Sequence, residues 1–107
     1  DEKILVVKRF DREFKNDKVI KKHIIDGVQI LNMPPEYKYQ KVYGEHSAVE
    51  GVTISKLLEA IEKYTKNPLK EKDKFINWIL FNLIIGNSDP HGKNISFYVD
   101  KDGISIT

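Results

Sequence analysis

Four side chains with useful chemistry crowd into one short stretch of the 107-residue chain: Asp89, His91, Lys93 and Asn94, in the run Ile84-Ile85-Gly86-Asn87-Ser88-Asp89-Pro90-His91-Gly92-Lys93-Asn94. A carboxylate can orient an attacking hydroxyl and take its proton. An amide oxygen is a hard, uncharged ligand for a phosphate-bound Mg²⁺. An ammonium group can offset charge on a moving phosphoryl group. Together these residue types suit phosphoryl transfer. Asp89 and Asn94 are too far apart for a regular helix or strand to aim both at one small target, so a loop must fold back. Pro90 pushes Asp89 into an extended conformation, Gly92 lets the backbone turn, and Gly86 suits the left-handed position that ends a helix.

Asp followed five positions later by Asn is the spacing of the protein-kinase catalytic loop, in which the Asp accepts the substrate hydroxyl proton and the Asn holds Mg²⁺. The same spacing also fits a polar surface turn built on Asp-Pro and His-Gly. The longer string Ile-Ile-Gly-Asn-Ser-Asp-Pro-His-Gly-Lys-Asn-Ile-Ser-Phe closely resembles the catalytic loop of the HipA-like kinases, roughly I-G-x-x-D-x-H-x-K-N-x-S. Two further stretches agree in order. Val6-Val7-Lys8-Arg9-Phe10-Asp11-Arg12 is similar to that family's V-x-R-F-D-R segment, and Leu31-Asn32-Met33-Pro34-Pro35-Glu36-Tyr37-Lys38-Tyr39 is similar to its L-G-L-P-x-x-x-K-Y segment.

The resemblance implies part of an ATP- and Mg²⁺-dependent serine/threonine protein kinase, the cytoplasmic toxin of a bacterial toxin–antitoxin pair, which moves the γ-phosphate of ATP to a protein serine. It implies Asp89 as the base, Asn94 as the Mg²⁺ ligand, Lys93 facing the phosphates and His91 on the nucleotide side. It places Lys8, Arg9 and Phe10 at the hinge that meets adenine, although the family has an acidic residue where Lys8 stands. Family substrates are aminoacyl-tRNA synthetases, and the family partner is a helix-turn-helix antitoxin. A lipid or small-molecule kinase of related fold is the nearest alternative, against which the Phe10 and Tyr39 segments argue. A truncated remnant that only binds nucleotide or a partner protein is another.

Composition sets outer bounds. The length allows one small domain, and the resemblance makes residues 1–107 a single partial domain. Both ends read as cut, so the chain is expected to be a piece of a larger protein. No glycine-rich phosphate loop occurs in it, and by resemblance the small-lobe Lys and a second metal-binding Asp would lie outside it, so the segment alone is expected not to turn over. Cysteine is absent, which excludes disulfides. No apolar run reaches membrane-spanning length. The net charge of +2 comes mostly from dispersed lysines, which argues against direct nucleic-acid binding.

The elements expected to carry the loop follow from periodicity. Residues 3 to 10 read as a strand, with Asn16-Asp17 a turn and 18 to 22 its partner. Residues 24 to 32 suit a short amphipathic helix weakened by Gly27 and stopped by Pro34-Pro35, with His23 a capping or packing residue. Residues 36 to 51, with Tyr37, Tyr39, Tyr43, Glu45 and His46, read as an irregular strand or loop. Thr53 caps a helix whose apolar face is Ile54, Leu57, Leu58, Ile61 and Tyr64, braced by Glu59–Lys63 and Glu62–Lys66 pairs. Asn67-Pro68 starts another, apolar on all sides from Phe75 to Ile85 and therefore expected to be a fully buried spine. Ile95 to Val99 and 104 to 107 form a hairpin about Asp100-Lys101-Asp102-Gly103. The fold expected is α+β: a protein-kinase-like large-lobe fragment of two β-hairpins and about three helices around a buried central helix.

Overall fold

The computed structural model describes residues 1–42 and 49–107. In chain order the elements are β1 (Arg12–Lys15), β2 (Lys18–Lys21), β3 (Ile24–Asp26), α1 (Gly27–Ile30), a 3₁₀ turn (Pro35–Lys38), β4 (Lys41–Val42), β5 (Val49–Glu50), α2 (Ile54–Tyr64), α3 (Pro68–Ile84), β6 (Ser96–Asp100) and β7 (Gly103–Ile106). Among the described residues the strands form three small antiparallel sheets: β1-β2, β3-β6-β7 and β4-β5. The chain is thus mixed α and β; the β6-β7 hairpin is where it was expected, and the first hairpin pairs β2 with Arg12–Lys15 in place of residues 3 to 10. The Tyr43, Glu45 and His46 part of the irregular stretch lies outside the described residues.

The helices start where local chemistry says they should. The Thr53 hydroxyl accepts from the Lys56 amide, and the Asn67 side chain accepts from the Lys70 amide ahead of Pro68. Leu57, Ala60 and Ile61 of α2 are buried in one cluster with Phe75 of α3, Val28 and Ile30 of α1, Ile95 just before β6, and Phe97 and Ile106 of the three-stranded sheet. Burying each large apolar side chain in that cluster contributes about 1.5–3 kcal/mol. Glu62 pairs across to Lys72 on α3.

Three expectations need correction. Residues 3 to 10 form no strand: Ile4, Leu5, Val6 and Val7 are exposed, and β1 begins only at Arg12. The apolar run finds no partner strand among the described residues, and its β-propensity does not organise it alone. The radius of gyration, 16.3 Å, exceeds the roughly 13 Å of a compact domain this long, in keeping with an outlying N-terminal stretch and hairpin. The β1-β2 turn is as read, with Asn16 and Asp17 both left-handed at φ 50° and 59°.

Residues 24 to 32 are not one helix. Ile24–Asp26 is a strand paired to β6, and Asp26 then caps the single turn of α1. Its carboxylate accepts from the Val28 and Gln29 amides, and Gln29 Oε1 accepts from the Asp26 amide, a reciprocal capping box. His23 is exposed and contributes its carbonyl to the Val99 amide.

Helix α3 is not buried on all sides. Glu71, Phe75 and Asn82 face inward, with Trp78 half-buried and stacked on Phe75. Ile76, Leu80, Phe81, Leu83 and Ile84 are exposed. Within the described chain α2 and β7 pack against one side of α3, so its outward apolar face has no cover from them.

The inward face carries an unexpected acid. Glu71 is buried and accepts from the Ile106 amide at 2.7 Å, while Lys74 Nζ lies 3.2 Å from both its oxygens and 3.3 Å from the Ile106 carbonyl. This clamp ties β7 to α3. Glu71→Ala should destabilise the fold by about 1–3 kcal/mol, because it strands a buried amide donor; urea denaturation monitored by helicity measures it.

Candidate active site

The loop after α3 begins at Ile85, the C-cap, and Gly86 takes the expected left-handed conformation at φ 66°. A relay of amides then carries position from helix to loop. Asn82, buried within α3, donates to the Trp78 carbonyl at 2.8 Å and accepts from Asn87 Nδ2 at 2.6 Å. Asn87 Oδ1 in turn accepts from the Asp89 amide at 3.1 Å. The backbone at Asp89 is thereby referenced to the helix. Asn82 was legible only as a polar interruption in an apolar run, and Asn87 only as part of the motif.

Asn94 folds back as the spacing requires. Its Nδ2 donates to the Asp89 carbonyl at 2.8 Å, and its amide donates to the His91 carbonyl at 2.9 Å. A side-chain amide facing a carbonyl must present its nitrogen, so Oδ1 is the end left over. Asp89 Oδ1 accepts from the Tyr39 hydroxyl at 2.6 Å, and Oδ2 has no hydrogen-bond partner among the described residues. The Asp89 hydrogen bond first, then partial burial and the carboxylate charge, push the Tyr39 hydroxyl above its ordinary pKa. Tyr39 therefore stays the donor.

Lys93 reaches back to the first half of the chain. Its Nζ lies 3.0 Å from Asp26 Oδ2, the carboxylate that caps α1. His91 Nδ1 accepts from the Lys93 amide at 3.2 Å, and its ring meets Tyr39 edge to face with centroids 5.1 Å apart. His91, Pro90 and Gly92 edge a cavity of about 220 Å³ floored by Val52, Leu57 and Phe75.

The loop's backbone is wedged as well as bonded. The Gly92 amide donates to the Lys38 carbonyl at 2.8 Å, and the Gly27 amide to the Ile95 carbonyl at 3.1 Å. A Cβ on Gly27 would sit 2.6 Å from the Gly92 carbonyl oxygen, and one on Gly92 would sit 2.7 Å from Val52 Cγ2. Neither glycine has room for a side chain.

Lys8, Arg9 and Phe10 form a separate place. They edge an open concavity of about 590 Å³ with Val7, Lys22 and His23, and none of the loop's four candidate residues lines it. Phe10 is fixed by Tyr98, whose hydroxyl donates to the Phe10 carbonyl at 2.8 Å and whose ring meets it edge-on. Tyr98 lies on β6, four residues after Asn94. Arg9 and Arg12 converge on Asp11 at 2.6 Å each. The Arg9 hydrogen bond, aided by the charges of Arg12 and Arg9 and opposed by desolvation, lowers Asp11 to about 2.

The chain belongs to the HipA-like C-terminal domain family, whose model matches residues 1–107. Among curated proteins it is similar to the serine/threonine-protein kinase toxin HipA of Shewanella oneidensis, 37% identical over 111 residues and covering 98% of this chain and 25% of that protein. Among solved structures it resembles a chain from the Shewanella oneidensis MR-1 toxin–antitoxin complex of HipA, HipB and operator DNA, with a TM-score of 0.80 and 35% identity over 94% of this chain and 25% of that one. The chain thus spans about a quarter of the length of the relatives it matches.

Two outcomes test this geometry. Gly27→Ala should destabilise the fold by about 1–3 kcal/mol and displace the Gly92 amide, visible as loss of its protection in hydrogen exchange. Asp11, with its folded pKa below the unfolded value, contributes stability that is complete above about pH 4 and lost as pH falls through about 2. NMR titration of the Asp11 carboxyl should therefore give a midpoint near 2, moving upward in Arg9→Gln.

Proposed function

We propose that this chain is the catalytic-loop portion of an ATP- and Mg²⁺-dependent serine/threonine protein kinase, the toxin of a toxin–antitoxin pair. The observation that carries the reading is the closure of the five-residue turn by Asn94 Nδ2 on the Asp89 carbonyl. That bond turns a sequence spacing into one small site, with Asn94 Oδ1 and Asp89 Oδ2 as its available oxygens.

In this reading Asp89 Oδ2 orients the acceptor serine hydroxyl and takes its proton as the phosphoryl group transfers. Asn94 Oδ1 is one protein ligand of Mg²⁺, an ion that is commonly held by few protein oxygens plus substrate phosphates and water. The donor set suits that arrangement: one amide oxygen beside a carboxylate gives hard oxygen donors without a full protein cage. When bound, the ion neutralises charge on the phosphates. Lys93 adds positive charge beside them from its station on Asp26, and His91 lies toward the nucleotide. Lys8, Arg9 and Phe10 form the adenine side, reached along β6 through Tyr98.

The named relative, a serine/threonine kinase toxin, supports the reaction class. The HipA, HipB and operator DNA complex supports an antitoxin as the partner of the parent protein. Family resemblance points to an aminoacyl-tRNA synthetase as the protein substrate.

The test uses the full-length parent kinase. Asp89→Asn should lower phosphotransfer by at least about a hundredfold with unchanged melting temperature, and Asn94→Ala should raise the Mg²⁺ concentration needed for ATP binding. Wild-type turnover in the Asp89 variant would overturn the assignment.

A further inference from the structure

We propose that Tyr39 is the positioning residue for Asp89, holding one carboxylate oxygen so that the other faces the acceptor hydroxyl. The proposal rests on the reading of Asp89 as the base.

Asp89 sits on an exposed loop, and its amide is fixed through Asn87 while its carbonyl is fixed through Asn94. Those bonds fix the backbone and leave the side-chain torsions open. The Tyr39 hydroxyl, 2.6 Å from Oδ1, supplies the missing restraint. A base whose unused atom is held by a third group is the general arrangement of an oriented catalytic side chain. The contact joins residues 50 positions apart, so it is not turn chemistry of the loop itself.

Tyr39 is itself held. Its ring lies edge-on to His91, and Lys38 Nζ stands 5.0 Å from the ring centroid. Gly51, at φ 88°, lets its backbone pass where a Cβ would lie 1.9 Å from the Tyr39 carbonyl oxygen. Beside a carboxylate the hydroxyl's own ionisation is disfavoured, which keeps its proton available for the bond to Oδ1. A core role does not account for the residue, since Tyr39 is 41% exposed and lies outside the buried cluster.

Tyr39→Phe keeps the ring and removes the hydroxyl. In the full-length kinase, assayed beside Asp89→Asn, it should lower kcat about ten- to a hundredfold, as expected for one lost hydrogen bond to a charged group. KM for ATP and for the protein substrate should stay within about twofold, and melting should stay within about 2 °C. Tyr39→Leu, which also removes the ring, should lose kcat to a similar degree. A wild-type kcat in Tyr39→Phe, with Asp89→Asn inactive, overturns the role of Tyr39 and leaves the Asp89 assignment standing. A raised KM for the protein substrate at unchanged kcat makes Tyr39 a substrate contact and overturns it too. A large drop in melting temperature makes Tyr39 a structural residue and likewise overturns its positioning role. Turnover in Asp89→Asn removes the base assignment and this proposal with it.

Discussion

Everything at the candidate site depends on two glycine backbones passing where no side chain fits. Gly27 opens α1 against the Gly92 carbonyl, and Gly92 rests against Val52. The Gly92 amide reaches the Lys38 carbonyl, and the Gly27 amide reaches the Ile95 carbonyl. The loop therefore lies flat on the first half of the chain, its position set by repulsion as much as by bonding. Only because it lies that close can Tyr39 reach Asp89 and Asp26 reach Lys93. Interiors this dense do not deform gradually, so one added methyl group would have to move a whole segment.

Polar side chains then convert that packing into orientation. Asn82 is the sole asparagine turned inward on α3, and it passes the helix position to Asn87 and on to the Asp89 amide. Asp26 acts in two places at once, since one oxygen caps α1 while the other holds the Lys93 ammonium. Each of these residues is small, local in its own element and long-range in its effect. That is the usual way a rigid scaffold holds a functional loop.

Much of this was legible in the residues, and the rest was not for physical reasons. The starts of α2 and α3 and the β6-β7 turn depend on neighbours within a few positions, so Thr53, Asn67-Pro68 and Asp100-Lys101-Asp102-Gly103 announce them. The fold-back of the loop was readable from the spacing of Asp89 and Asn94. Its supports were not, because Tyr39 and Asp26 stand 50 and 67 positions from the side chains they hold. The Asp26-x-x-Gln29 capping box was a local signal, and it would have ended the strand and started α1 in the right place. The failures concern partners. An apolar run such as residues 4 to 7 shows that a strand could form, without showing what it would pair with. The apolar circumference of α3 shows a wish for burial on all sides, whereas the described elements cover one.

The seam between the loop and the early part of the chain has a bearing on how the molecule comes apart. Helices α2 and α3 hold one another through the buried side chains Leu57, Ala60, Ile61 and Phe75, whereas the loop is held mainly by exposed polar contacts. Proteins open in patches, and exposed, hydrogen-bonded regions open first. Mild denaturant or warming should accordingly lift the loop off Lys38 and Gly27 while the helix pair is still intact. A preparation with full helical dichroism can in that case already have lost the alignment of residues 89 and 94, so competence has to be judged at the loop and not from bulk secondary structure.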